Sequence, residues 1–177
     1  MQYKTPFLLL ASFFILEKSY CQFDEGIVKA GNKTYQCKLI DSNRLYISNS
    51  ENILGSKQPQ IPAGVEDLTS IECKGVNEVG ELIRGVIPKD KLQKIADEKA
   101  MVITYSIDNT GKVLETTFAI DANTQIAPME LSKLEDKIKT VTFTFKNDQL
   151  KGVNFIRFNS MFPLRRVLNK EKLCGMN

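Results

Sequence analysis

The stretch VITYSIDNTGKVLETTF, residues 102–118, decides how the chain is read. Met101, Ile103, Tyr105 and Ile107 alternate with polar positions, so one face of the run is apolar, the period of a half-buried strand. Asn109-Thr110-Gly111 supplies turn chemistry, with glycine free to take a positive φ. After the turn, Leu114, Phe118 and Ile120 share one face of a second strand. The whole reads as a β-hairpin, with Asp108 and Lys112 as solvated turn charges.

The elements on either side extend this pattern. Pro88 opens a helix to Lys99, with Leu92, Ile95 and Ala96 on one face. A second helix runs from Pro128 to Lys139, its apolar stripe formed by Leu131, Leu134 and Ile138. Val141, Phe143 and Phe145 alternate as a strand, Lys146 to Gln149 turns, and Val153 to Phe158 gives a last strand before Pro163. Helix, strand, strand, helix, strand, strand predicts an α+β fold, an antiparallel sheet with two helices packed on one face. The aromatics Phe143, Phe145, Phe155 and Phe158 are read as core.

Upstream, Tyr35, Cys37 and Leu39 alternate with polar neighbours. Asp41-Ser42-Asn43 turns, and Arg44 to Ile47 returns, so a small β-rich module is expected. Residues 48–64 carry Asn, Gly and Pro at turn-forming density and read as a long loop. Ile71-Glu72-Cys73 reads as a short strand.

Composition bounds the chemistry. The chain of 177 residues has 24 basic and 21 acidic side chains, a net charge of +3. Nothing in that balance calls for a nucleic-acid partner. Lys4 followed by the eleven-residue apolar run from Pro6 to Leu16 has the form of a secretion leader, with Ser19 and Cys21 at the small positions before a cut at Gln22. The expectation is an exported protein, periplasmic or extracellular, with no membrane-spanning helix in its mature chain. The expected division is leader 1–21, β-rich module 22–80, α+β module 81–163 and a tail 164–177.

The chain contains no histidine, which removes Ser-His-Asp and Cys-His catalysis and histidine metal sites. Asp121, Asn123 and Gln125 alternate as calcium ligands do, but Ile126 and Ser132 stand where a calcium loop needs glycine and glutamate. The acidic pairs Glu66-Asp67, Asp97-Glu98 and Glu135-Asp136 read as solvated helix faces or helix starts, since neighbours on a helix do not converge on a substrate. Arg165, Arg166, Lys170 and Lys172 form a basic tail, read as either a solvated terminus or a partner patch. No catalytic, cofactor or metal residue is assigned, and a non-enzymatic role is expected. Cys37 and Cys73 are either a disulfide pair or two small buried apolar residues.

Ile87-Pro88, the run Met101 to Val113 with its Asn109-Thr110-Gly111 turn, Leu131 to Ile138, and Lys151-Gly152-Val153 together resemble the TonB carboxy-terminal domain family over about residues 86–163. That resemblance implies a sheet edge that accepts an extended peptide from another envelope protein, by β-augmentation. Val153, Phe155 and Arg157 on the last strand are the expected contact residues. The competing expectation is a carrier of small molecules or lipids, with an apolar cavity between sheet and helices.

Overall fold

A computed structural model describes residues 23–60, 73–145 and 152–173, the side chain of Cys73 excepted. The fold is α+β, as the element pattern predicts, but its parts are joined differently. Six antiparallel strands form one sheet: β1 (Gly26–Ala30), β2 (Lys33–Asp41), β3 (Arg44–Asn49), β4 (Met101–Ile107), β5 (Val113–Asp121) and β6 (Ile156–Phe162), in the order β1-β2-β3-β5-β4-β6. Among the described residues, four α-helices accompany it: α1 (Cys73–Val86), α2 (Lys89–Lys94), α3 (Pro128–Ile138) and α4 (Leu164–Leu168).

The expected split into two modules is corrected by β3, which pairs with β5 from Arg44↔Asp121 to Ser48↔Thr117. The β-rich segment is thereby half of the same sheet, and a boundary at residue 80 falls inside α1. One core joins the two halves. Ile47, Phe118 and Ile103 lie side by side across three strands and meet Val79 and Ile83 of α1, Leu92 of α2, Leu131 and Leu134 of α3, and Val167 of α4.

The hairpin at residues 102–118 forms as read. Asp108 accepts the N–H groups of Thr110 and Lys112 through Oδ1, at 2.8 and 3.1 Å. Burial raises the Asp108 pKa, but these bonds and the Thr110 hydroxyl outweigh it and hold the carboxyl below its ordinary range. Gly111 takes a φ of +85°. A register shift between Ser106 and Ile107 turns Val113 inward, so Leu114 is exposed rather than buried with Phe118.

Three expectations change. α1 runs through a stretch for which the sequence pattern offers no helix, while residues 71–72 of the expected short strand lie outside the described residues. Its apolar stripe, Val76, Val79 and Ile83, is interrupted by Gly75, Gly80 and Gly85, which depress helix propensity. A Cβ on Gly75 would come within 2.5 Å of the Phe143 ring, so close packing fixes the residue that hides the helix. Second, Val141 to Phe145 is not a strand of the sheet. It crosses the tip of the hairpin, with a bridge from Thr142 to Lys112 and a 2.8 Å bond from the Phe143 N–H to the Gly111 carbonyl. Third, the last strand begins at Ile156 rather than Val153 and continues to Phe162. Ser160 at an inward position breaks the apolar alternation that would reveal its full length.

Among the described residues, no helix is long and apolar enough to cross a membrane. The leader, the acidic pair at 66–67 and the turn at 146–149 lie outside the described residues.

Candidate functional site

The outer face of the sheet carries rows of side chains set by the register. Ile27, Gln36, Ser48, Thr117, Thr104 and Asn159 fall opposite one another across all six strands. The next row is Lys38, Tyr46, Ala119, Val102 and Met161. Hydroxyl, amide and scattered apolar groups dominate, and Met161 is 60% exposed.

The loop that leaves β3 is a strap over one end of this face. A short 3-10 turn, Leu54–Ser56, sits at its centre. The Glu115 carboxylate on β5 accepts the N–H groups of Ile53 and Leu54 at 2.7 and 2.9 Å. Arg157 on β6 donates through Nη2 to the carbonyls of Leu54 and Lys57, at 2.7 and 3.1 Å. Ser106 stands between Glu115 and Arg157 on β4. The strap therefore has each end of its turn held by the opposite charge, an acid for the donors and a guanidinium for the acceptors. Under it lies a cavity of about 100 Å³, bordered by Tyr46, Thr104, Ser106, Thr117 and Arg157.

Beyond the strap, β6 is the last strand of the sheet. All seven of its residues pair with β4 on one side, Met101↔Phe162 through Ile107↔Ile156, and among the described residues no strand adjoins the other side. Edges are commonly protected by lysine, proline or inward charge. From Phe158 to Phe162 the sequence is FNSMF, with none of these.

The expected contact residues are placed unequally. Val153 and Phe155 precede β6 and are 3% and 2% exposed, so they pack inward rather than face a partner. Arg157 is exposed but committed to the strap. The outward positions further along the same edge are Asn159 and Met161. Cys37 is a free, buried thiol. Burial, then the nearby Asp24 charge, pushes it up to about 11, so it stays protonated at neutral pH and is a weak nucleophile there.

Sequence reading missed a buried polar cluster. Glu135 of α3, one of the acids read as solvated, is 0% exposed. Its carboxylate accepts from Tyr35 Oη at 2.6 Å, Asn49 Nδ2 at 3.2 Å, and the ammonium groups of Lys33 and Lys139 at 3.1 and 2.9 Å. Burial raises its pKa, yet the bond from Tyr35 and the two lysines outweigh burial, and the group is held below the ordinary carboxylate range. Burial, reinforced by Glu135, pushes the Tyr35 phenol far up. Both carboxylate oxygens are bonded, and no edge of the carboxylate faces solvent. The cluster clamps the β1–β3 half of the sheet to α3 and presents no group to a substrate. The only hint in the sequence is that Glu135 lies between Leu131, Leu134 and Ile138, on the edge of the apolar stripe.

No protein-family model matches the sequence, and no curated protein matches it. Among solved structures, the chain is similar to the crystal structure of a DUF5043 family protein from Bacteroides uniformis. The TM-score is 0.62 with 17% identity, over 80% of this chain and 85% of that one. At that identity the likeness is one of fold, and it extends the α+β description to both halves of the sheet.

Proposed function

We propose that the chain is a non-enzymatic binding module of the bacterial envelope that captures an extended segment of another envelope protein along the free edge of β6. The observation that carries this reading is the uncharged, proline-free edge from Phe158 to Phe162 at the end of a six-stranded sheet. An added strand would bond to the main chain of β6, while Asn159 and Met161 would meet alternate side chains on the outer face. The order β4, β5, α3, β6 keeps the element order on which the TonB resemblance rests except for its strand at 141–145, which crosses the hairpin tip instead, and the leader-like amino terminus supports export. Tyr105, Phe143 and Phe158 fill the space between sheet and helices with rings 4.8–5.0 Å apart, which favours edge pairing over a cargo held there.

A proline scan from Arg157 to Met161 tests the reading, combined with photo-crosslinking from positions 159 and 161 in intact cells. The expected result is a crosslinked envelope polypeptide, and at least one proline variant that keeps its circular dichroism and thermal midpoint while losing the crosslink. If every proline variant that remains folded keeps the crosslink, pairing at β6 is wrong.

A further inference from the structure

Away from the sheet, the ends of α1, α2 and α4 enclose a cleft of about 330 Å³, bordered by Arg84, Lys89, Leu92, Leu168 and Lys170. That volume lies at the lower end of the range for small-molecule sites. Among the described residues three cations line it and no acid does; the half-buried Leu168 supplies its apolar lining, with the buried Leu92 at its floor. We propose that this cleft binds a small amphiphilic organic anion, a carboxylate or a similar acid head on a short apolar body.

Local structure accounts for only part of this arrangement. Arg84 ends α1 and donates through Nη1 to the Val167 carbonyl of α4 at 3.1 Å, a normal use of a cation at helix ends. Its Nη2 is ion-paired with Glu81. The other two cations stand against local preference. Lys170 follows the end of α4 with a φ of +58°. Its N–H bonds to the Val167 carbonyl, and the Glu171 N–H to that of Arg166. This is the helix-ending motif in which glycine is usual, and a side chain there carries backbone strain. Lys89 is the first residue of α2, where the helix field disfavours a positive charge. Two cations retained at unfavourable positions, facing one cavity with a third, are what an anion would offset. The Leu92 and Leu168 side chains would cover an apolar body and discriminate against a bare inorganic ion.

The inference is independent of strand pairing at β6, since the two surfaces share no residue. It is tested on the full chain with sodium octanoate as the probe, by calorimetry and by chemical-shift mapping. Octanol, inorganic phosphate and phosphatidylglycerol vesicles serve as comparisons. Octanoate is expected to shift resonances of Leu92 and Leu168 and to bind more tightly than octanol or phosphate. The double variant Lys89→Ala/Lys170→Gly should weaken it at least about tenfold. The same variant should have an unchanged or higher thermal midpoint, because glycine relieves the strain at 170, so lost binding is separable from lost folding. Equal octanoate affinity in the double variant would overturn the proposal, as would octanol or phosphate binding as tightly as octanoate. Binding to vesicles without binding to free octanoate would also overturn it, in favour of a membrane surface.

Discussion

Replacing Glu135 with alanine is expected to destabilise the protein by about 3–5 kcal/mol, the range for removing one partner of a buried charged cluster. The loss is large because the carboxylate is shared. Without it, Tyr35 Oη, Asn49 Nδ2 and the Lys139 ammonium all lose the same acceptor, while Lys33 keeps only Asp136 and the Ser132 carbonyl. Domains of this size are stable by about 5–15 kcal/mol in total, so the variant should melt far below the parent. Glu135→Gln keeps the volume and one acceptor oxygen and should cost less. It also isolates the pH dependence. Because the folded-state pKa lies below the unfolded value of about 4.3, ionised Glu135 contributes fully above that pH, and the contribution is lost as pH falls through the folded value. Urea titrations at neutral pH and near pH 3 should therefore show the gap between the parent and Glu135→Gln narrowing in acid. A constant gap would mean that the charge of Glu135 contributes nothing.

The second large effect is expected at Gly111. Its φ of +85° disfavours any L side chain, and a Cβ there would lie 1.9 Å from the Phe143 carbonyl oxygen. That neighbour is backbone and has no rotamer to change. Gly111→Ala must displace the 141–145 segment, which breaks the bond from the Phe143 N–H to the Gly111 carbonyl and loosens the packing of Phe143 on Tyr105 and Phe158. Backbone strain and lost packing together place the cost on the order of 3 kcal/mol. Thr110→Ala in the same turn removes only an exposed hydroxyl bond to Asp108 and should cost under about 1 kcal/mol. Denaturation of the two variants side by side gives the comparison. Equal effects would mean that the crossing segment is not held by the turn.

What the sequence shows plainly is local. The 102–118 hairpin, the Pro128 helix and the turn at Asp41 are visible because period, capping and turn residues agree over short spans. The Asp41 carboxylate, for example, accepts the Asn43 N–H at 2.8 Å as its Asp-Ser-Asn sequence suggests. The pairing of β3 with β5 is not visible, since no local rule joins Ile47 to Phe118. Helix α1 is concealed by its three glycines, and the one at 75 answers to a ring contributed by Phe143, far along the chain. Glu135 is misread for a similar reason. Its burial depends on Lys33, Tyr35 and Asn49, about a hundred residues earlier, which bring the charges and donors that make a buried carboxylate tolerable. Of the expected contact residues, only Arg157 faces outward, and the serine at 160 conceals the part of β6 that forms the free edge.

The seam between β3 and β5 also bears on how quickly the chain can reach this state. Tyr105 and Thr116 meet across a short turn, whereas Arg44 meets Asp121 only after a loop several times longer has closed. Longer loops cost more entropy to close, and folds dominated by distant pairings fold slowly. The β4–β5 hairpin and the β1–β3 meander are thus two early local units, and their joining is the late event. Kinetic comparison of Ile103→Val with Ile47→Val should show the first slowing folding and the second mainly speeding unfolding. If Ile47→Val slows folding at least as much, the seam is already closed in the transition state. Until the seam closes, β3 and β5 each present an unpaired flank, so during folding the middle of the sheet is exposed to mispairing as well as its edge.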